Sequence, residues 1–292
     1  MRSIGFFRIR LKHANSMGDM MTGRGKTGLK AVLGAFAIAA FAASPAAAAT
    51  SDWAVSDGGR MRLVALPNQE GGYDAALQIE PASGWKTYWR HPGDAGLPPL
   101  IDLTGSDNLA LSSTAFPAPE IGRDEGGLFY GYHRPVSIML RLKSAAPSET
   151  AKLKAAAMIG LCKEICLPFQ ADFELALGPD ARPESDEFLT LALGRSALPE
   201  TPSAKFGVSD SRMSADGKTL QLTLRLPSDQ TPEIALAPSP GLAFGPARFI
   251  PTGADKGALD LPVTRRPETG PAVVTILIKS GSRTMETTLA AE

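Results

Sequence analysis

The sequence has 292 residues, 43% of them hydrophobic, and its 30 basic residues balance its 30 acidic residues. It is long enough for one or two domains with cores of their own, so disulfides are not needed to compensate for small size. Residues 1–49 hold seven basic residues and one acidic residue, which leaves 23 basic and 29 acidic residues and a net charge of −6 beyond them. That balance argues against a nucleic-acid surface, which needs a basic footprint.

The first element in chain order is an apolar run at residues 31–43, AVLGAFAIAAFAA. It follows three basic residues and precedes small residues that form an A-x-A site ending at Ala49, so residues 1–49 are predicted to be an export signal that is cut there. The run is short for a bilayer-spanning helix, although an uncleaved anchor is the alternative. The stretch before about Met20 is long for a signal and suggests a start codon assigned too far upstream. No later segment has ~18 consecutive apolar residues, so no integral membrane segment is expected in the mature chain.

Beyond the signal, apolar and polar residues alternate along residues 136–143, 220–226 and 274–278. Alternation with a period of two is typical of half-buried antiparallel strands. Pro and Gly clusters, such as Gly71-Gly72 and Pro98-Pro99, separate the runs at short intervals, as they do in sandwiches. The sequence therefore predicts an all-β fold built as an antiparallel β-sandwich.

Residues 183–195 break this pattern and predict a short helix. Ser185 is the expected N-cap, acidic residues follow in the first turn, and Gly194 or Arg195 is expected to end the helix. The apolar residues at helical spacing, which predict the buried face, are Phe188, Leu189, Ala192 and Leu193.

The helix and the Pro-bearing linker after it divide the predicted domains. We expect a β-sandwich at residues 50–180, a helix and linker at 181–203, and a second small β-sandwich domain at 204–292. The second domain has neither His nor Cys, so we expect it to be a scaffold or docking module. The sequence has no Gly-rich phosphate loop between a strand and a helix, and no G-x-S-x-G, so no nucleotide site is predicted and no cofactor is expected.

The only two cysteines, Cys162 and Cys166, allow three interpretations. A structural disulfide is common in exported proteins, but so short a ring gains only ~2 kcal/mol in the chain-entropy model. The second interpretation is a metal site. A closed zinc site needs four donors, so the metal considered is copper, bound by the two thiols with His91 and His133. In the redox interpretation Lys163 favours a thiolate and Glu164 opposes it. Local residues do not separate the structural from the redox interpretation.

Three stretches in order carry a resemblance: GWKTYWRHPGDAGLPP at 84–99, RDEGGLFYGY at 123–132, and CKEICLP at 162–168. Together they resemble the N-terminal periplasmic domain of DsbD-type thiol:disulfide interchange proteins, especially its ScsB-like and free-standing variants. The resemblance covers about residues 52–178. It implies an immunoglobulin-like sandwich that exchanges thiols and disulfides through two cysteines shielded by an aromatic cap.

The resemblance also implies roles for individual residues. Cys166 would form the mixed disulfide with a partner, and Cys162 would resolve it. The expected shielding residues are Phe129, Tyr130 and Gly131 in the cap, Asp124 and Glu125 in its acidic lead-in, and Tyr88 lining the site. Each of these has a plainer alternative, as sandwich core, packed turn or solvated turn, and His91 is expected to cap the loop that follows it.

The expected function is therefore a periplasmic module that passes electrons between a reductant carrier and oxidised proteins, acting as a protein-disulfide reductase or an interchange component. Its expected partners are thioredoxin-like or membrane-embedded thiol carriers and oxidised periplasmic proteins. The sequence departs from the family pattern in having no membrane block, no C-x-x-C and a shorter cysteine spacing. Two alternatives stay open: a non-catalytic sandwich adaptor with a permanent disulfide, and a Cys/His copper-binding protein.

Overall fold

The computed structural model describes residues 50–179 and 184–291, and the predicted export signal lies outside these ranges. Among the described residues, no helix combines the length and the apolar character that crossing a bilayer requires. Within the same ranges the chain forms 19 β-strands and one α-helix. In chain order they are β1 (Ala54–Ser56), β2 (Gly59–Pro67), β3 (Tyr73–Pro81), β4 (Thr87–Gly93), β5 (Leu100–Asp102), β6 (Leu109–Ala115), β7 (Glu120–Asp124), β8 (Gly127–Tyr132), β9 (Val136–Ser144), β10 (Ala151–Cys162), β11 (Cys166–Leu177), α1 (Ser185–Ser196), β12 (Gly207–Met213), β13 (Thr219–Arg225), β14 (Glu233–Pro238), β15 (Ala243–Phe244), β16 (Arg248–Gly253), β17 (Lys256–Arg265), β18 (Val273–Ser280) and β19 (Arg283–Ala290).

The strands before α1 form three antiparallel sheets, with the orders β1-β2-β3-β9-β6, β11-β10-β5 and β4-β8-β7. The first two sheets pack face to face because apolar side chains alternate along their strands. Their shared core includes Leu63, Leu77, Ile138, Leu153 and Ile159. The predicted all-β antiparallel sandwich is confirmed, and the third sheet lies at the end that carries the cysteines.

Helix α1 covers the outer face of the first sheet, but with a different side from the predicted one. Leu191 is 1% exposed and packs with Met139, whereas Phe188 is 60% exposed. A Cβ on Gly194 would lie 2.5 Å from the Met139 sulfur, so this glycine lets the helix approach the sheet closely. The predicted apolar face is therefore wrong, because the side with the smallest residue makes the closest packing: Phe188, Leu189 and Leu193 are exposed and Ala192 is half-buried.

The predicted N-cap of α1 is also wrong by one residue. Glu184, not Ser185, is the N-cap, and it forms a capping box with Glu187. The Glu184 amide donates a hydrogen bond to Glu187 Oε2 at 2.9 Å, which satisfies one of the free N–H groups at the start of the helix. The helix continues through Ser196, one residue past the later of the two predicted ends.

The strands after α1 build a second hydrophobic core between two further antiparallel sheets. One has the order β12-β13-β17-β15 with β16 also on β17, and the other has the order β14-β18-β19. The predicted alternation is confirmed here, since these residues are all buried: Leu220, Leu222, Leu224, Leu226, Val274, Ile276 and Ile278. Ala235 and Leu277 instead pack into the first core, and the described residues group as one compact unit. The division into domains at residues 181–203 stays a prediction.

Candidate functional site

The two cysteines close a long β-hairpin. Strands β10 and β11 pair without a break from Ala151↔Leu177 to Cys162↔Cys166. The turn between the cysteines has three residues, and its Lys163 amide donates to the Ile165 carbonyl at 3.2 Å. Because the two cysteines face each other as the last pair of the ladder, their Cα atoms are 4.1 Å apart and a disulfide joins them.

The two sulfur-bearing residues lie in different surroundings. Cys162 is 3% exposed, and its backbone N–H and C=O are both bonded to Lys86, at 2.9 Å each. Cys166 is exposed and lies on β11, the outer strand of its sheet. A strand at the edge of a sheet can be approached by another protein, whereas a residue between two paired segments cannot. The arrangement therefore leaves Cys166 accessible at the surface and keeps Cys162 buried behind it.

Two aromatic rings pack against the disulfide and cover Cys162. Tyr88, Phe129 and Cys162 form a small buried cluster separate from the main cores. The Tyr88 Oη atom lies 3.5 Å from Cys166 Sγ. Since a disulfide sulfur has no hydrogen, the phenol is the donor. Burial raises the pKa of Tyr88, and the negative charge of Asp124 raises it further, so the phenol keeps its proton at neutral pH.

A glycine allows the Tyr88 ring to be enclosed. Gly96 has a φ of +125° and lies directly against the ring, so that a Cβ at this position would be 2.5 Å from the ring carbon Cζ. Any side chain there would meet both a backbone penalty and a clash with the ring. The loop after β4 therefore packs tightly on the face of Tyr88.

The predicted cap is the hairpin of β7 and β8, which turns at Glu125 and Gly126. Neighbouring residues of a strand point to opposite faces, so Phe129 and Tyr130 diverge. Phe129 packs over Cys162, whereas Tyr130 meets the edge of Trp89 with ring centroids 6.0 Å apart. Gly131 lies against the neighbouring strand, where a Cβ would be 2.4 Å from the Thr87 carbonyl oxygen. Of these three residues, Phe129 alone lies in the cysteine cluster, and Tyr130 packs in the main core.

The acidic residues before the cap differ in their contacts. Asp124 forms an ion pair with Lys86, and the hydrogen bond from Lys86 is the main cause that lowers the pKa of Asp124. Asp124 also accepts a hydrogen bond from the Gly126 amide at 2.8 Å, which shapes the turn. Glu125 is exposed and forms no hydrogen bond or ion pair within residues 50–179 and 184–291.

Lys86 is a site residue that the sequence analysis missed. It is 8% exposed, and its Nζ atom lies 4.2 Å from the Phe129 ring centroid and 5.9 Å from that of Tyr88. The available signal was the period of two along the extended segment GWKTYW, which places Lys86 and Tyr88 on the same face. A cation held over two rings beside a carboxylate is a favourable arrangement for a buried charge.

The two histidines of the copper alternative have other partners. His91 Nδ1 accepts from the Gly93 amide at 3.3 Å, and burial lowers the pKa of His91 against the opposing effect of Asp94. His133 Nδ1 lies 2.8 Å from a Glu120 carboxylate oxygen. In the part of the chain that the structure describes, no three His, Cys, Asp or Glu side chains are grouped as a metal site. The geometry therefore gives the copper alternative no support.

Comparisons with known proteins found one family model and several solved structures that resemble this chain. Residues 60–178 match the family model of the N-terminal domain of thiol:disulfide interchange protein DsbD. The N-terminal periplasmic domain of ScsB from Proteus mirabilis matches with a TM-score of 0.62 and 21% identity, over 83% of this chain and 98% of that chain. This likeness shows the fold and confirms the predicted immunoglobulin-like sandwich. A marsupial T cell receptor aligns over 82% of this chain and 99% of that chain, at 14% identity and a TM-score of 0.21, which carries no argument. No curated protein sequence matches.

Proposed function

We propose, from a domain at residues 60–178 that matches the DsbD N-terminal family, that this protein exchanges thiols and disulfides with other proteins through Cys162 and Cys166. The observation that carries the proposal is the asymmetry of the pair. An exposed Cys166 is joined to a buried Cys162 under the rings of Tyr88 and Phe129. A disulfide kept only for stability needs neither an accessible sulfur nor a separate cover.

The exchange runs in two steps. In the reduced protein the Cys166 thiolate attacks one sulfur of a partner's disulfide, and the partner's other sulfur leaves as a thiolate. The Cys162 thiolate then attacks Cys166 Sγ, which breaks the mixed disulfide and releases the partner's first sulfur as a thiolate. Two electrons pass to the partner, and the Cys162–Cys166 disulfide is formed again. The chain's own sulfurs suffice for this chemistry.

The site must be reduced again by a donor dithiol, through the same steps in reverse. Thioredoxin-like proteins or membrane-embedded thiol carriers are the proposed donors, and oxidised periplasmic proteins are the proposed recipients. An uncovered thiolate reacts with small oxidants. We expect the cap to prevent this by admitting only those partners that displace Phe129 when they dock. The predicted export signal, together with the periplasmic origin of the ScsB domain, supports a periplasmic location.

The second β region is proposed to act as a scaffold for the strand that carries Tyr88. Arg90 on β4 forms a 2.9 Å ion pair with Glu286 on β19, and both side chains are largely buried. Burial raises the pKa of Glu286, while Arg90 opposes that shift. A buried ion pair adds little net stability, so we expect this one mainly to fix the relative positions of β4 and β19.

The test is direct transfer between proteins. The reduced chain is mixed with an oxidised thioredoxin-like protein, and free thiols on each protein are alkylated and counted by mass at successive times. We expect thiols to appear on the partner as Cys162 and Cys166 become a disulfide. A permanently closed structural disulfide predicts instead that strong reductants are needed to open the pair and that no thiols appear on the partner. That result would exclude the proposed function.

A further inference from the structure

Lys86 joins three parts of the site. Its backbone is paired with Cys162 at 2.9 Å in both directions, so it is fixed to the cysteine hairpin. Its ammonium group forms the ion pair with Asp124 at the end of β7 and lies 4.2 Å from the centroid of the Phe129 ring on β8. One side chain therefore connects the disulfide to both strands of the cap.

A separate contact holds the other side of the cap. The Leu128 amide donates to Asp94 Oδ2, and the Asp94 amide donates to the Leu128 carbonyl, each at 2.8 Å. These bonds attach β8 to the loop after β4. Strand β7 is the outer strand of the β4-β8-β7 sheet, and the ion pair with Lys86 attaches its end at Asp124 to the segment before β4.

Stability alone gives no reason for a lysine at this position. An apolar side chain of similar length could fill the same space beneath Phe129 without the cost of removing an ammonium group from water. Replacing a buried ion pair by apolar groups is often neutral or stabilising. The charge therefore points to a role in which the contact must be specific and able to break.

We propose that Lys86 and Asp124 form a clasp that holds the cap hairpin closed over the Cys162–Cys166 disulfide, with Lys86 acting as a positioning residue for Phe129. This inference rests on the proposed function, in which a docking partner must open the cap. A partner that competes for either charge would release the outer strand of the cap and open the covered Cys162 side of the disulfide. The clasp would thus favour partners that bring charged groups to this edge over small thiols and disulfides.

The experiment measures how fast dithiothreitol reduces the disulfide in the folded, oxidised protein. Lys86→Met and Asp124→Asn are each expected to accelerate reduction about tenfold, the effect of losing one charge-assisted hydrogen bond. The double variant should be no faster than either single variant, because both remove the same contact. Lys86→Arg should retain most of the protection, and Glu125→Gln is the matched acidic control, expected to match the wild type.

The direction of the Lys86→Met effect separates the clasp from simple electrostatics. Loss of a nearby positive charge would by itself slow attack by an anionic thiolate, so acceleration identifies an opened cap. Thermal unfolding provides the structural control, with a midpoint for Lys86→Met close to the wild type. Added salt should accelerate reduction of the wild type more than that of Asp124→Asn, since screening weakens the ion pair.

Two results would overturn the clasp. One is a Lys86→Met variant reduced no faster than the wild type, and the other is an acceleration in the double variant that equals the product of the two single effects. Reduction by dithiothreitol reports on any disulfide and needs no protein partner. If the reduced wild type does not reduce a thioredoxin-like protein, but dithiothreitol still reduces Lys86→Met faster than the wild type, the proposed function fails and the clasp stands.

Discussion

Replacing Cys162 with serine will stop the exchange at its midpoint, so that a covalent adduct between Cys166 and an oxidised partner accumulates. The exposed Cys166 can still attack, but no second thiol is left to resolve the mixed disulfide. The reciprocal Cys166→Ser variant leaves only the buried Cys162, and its adduct should form at least about 100-fold more slowly because the thiolate is covered. Non-reducing electrophoresis measures the amount of adduct in each variant, and peptide mass analysis identifies the cysteine that carries it.

The two variants are matched, because each removes one sulfur and both lose the disulfide. Any difference between them therefore reflects the surroundings of the remaining cysteine and not the loss of the bond. Adducts that form equally fast in both variants, or faster in Cys166→Ser than in Cys162→Ser, would contradict the assigned roles. A reducing agent should dissolve every adduct, which verifies that the link is a disulfide.

Removing the Phe129 ring is expected to uncover the disulfide without unfolding the protein. In Phe129→Ala, reduction by dithiothreitol should be about 10- to 100-fold faster. Large-to-small changes at buried phenylalanines lower stability by about 3–5 kcal/mol, and here part of that loss destabilises the closed cap relative to the open one. Phe116→Ala is the matched control. The two phenylalanines are 9% and 8% exposed, but Phe116 packs in the main core and not beside the cysteines.

Global stability and local protection are compared in the same variants. Urea unfolding should show that Phe116→Ala loses at least as much free energy of unfolding as Phe129→Ala. Reduction in native buffer should nevertheless be accelerated only in Phe129→Ala. If both variants are reduced at the wild-type rate, or if both are accelerated in proportion to lost stability, then Phe129 is not a cover for the pair.

The fold could be predicted where one physical pattern acts alone. Along residues 136–142 and 220–226 the alternation of apolar and polar residues fixes which side chains are buried, and the structure buries those residues. The face of α1 could not be found in this way. Its packing is decided by how closely Gly194 lets the helix approach Met139, which depends on a distant strand and not on the helix sequence.

The residues of the site also divide into those that could be predicted from the sequence and those that could not. The cysteine hairpin and Phe129 could be found by resemblance. They come into contact because Lys86 pairs with Cys162 and the following strand, β4, pairs with β8. Lys86 could not, because a lysine in an alternating segment is normally expected in solvent. Its burial depends on Asp124, which is 38 positions away along the chain and becomes a neighbour only when β7 and β8 fold over β4. Opposite charges brought together by tertiary structure leave no local signal.

The most direct test of the central claim is the reduction potential of the Cys162–Cys166 disulfide, measured by equilibration with glutathione or dithiothreitol buffers and alkylation of the free thiols. An exchange site must lie within the range of its carriers, so we predict a potential between about −270 and −180 mV. A potential below about −300 mV is that of a structural disulfide and would contradict the account.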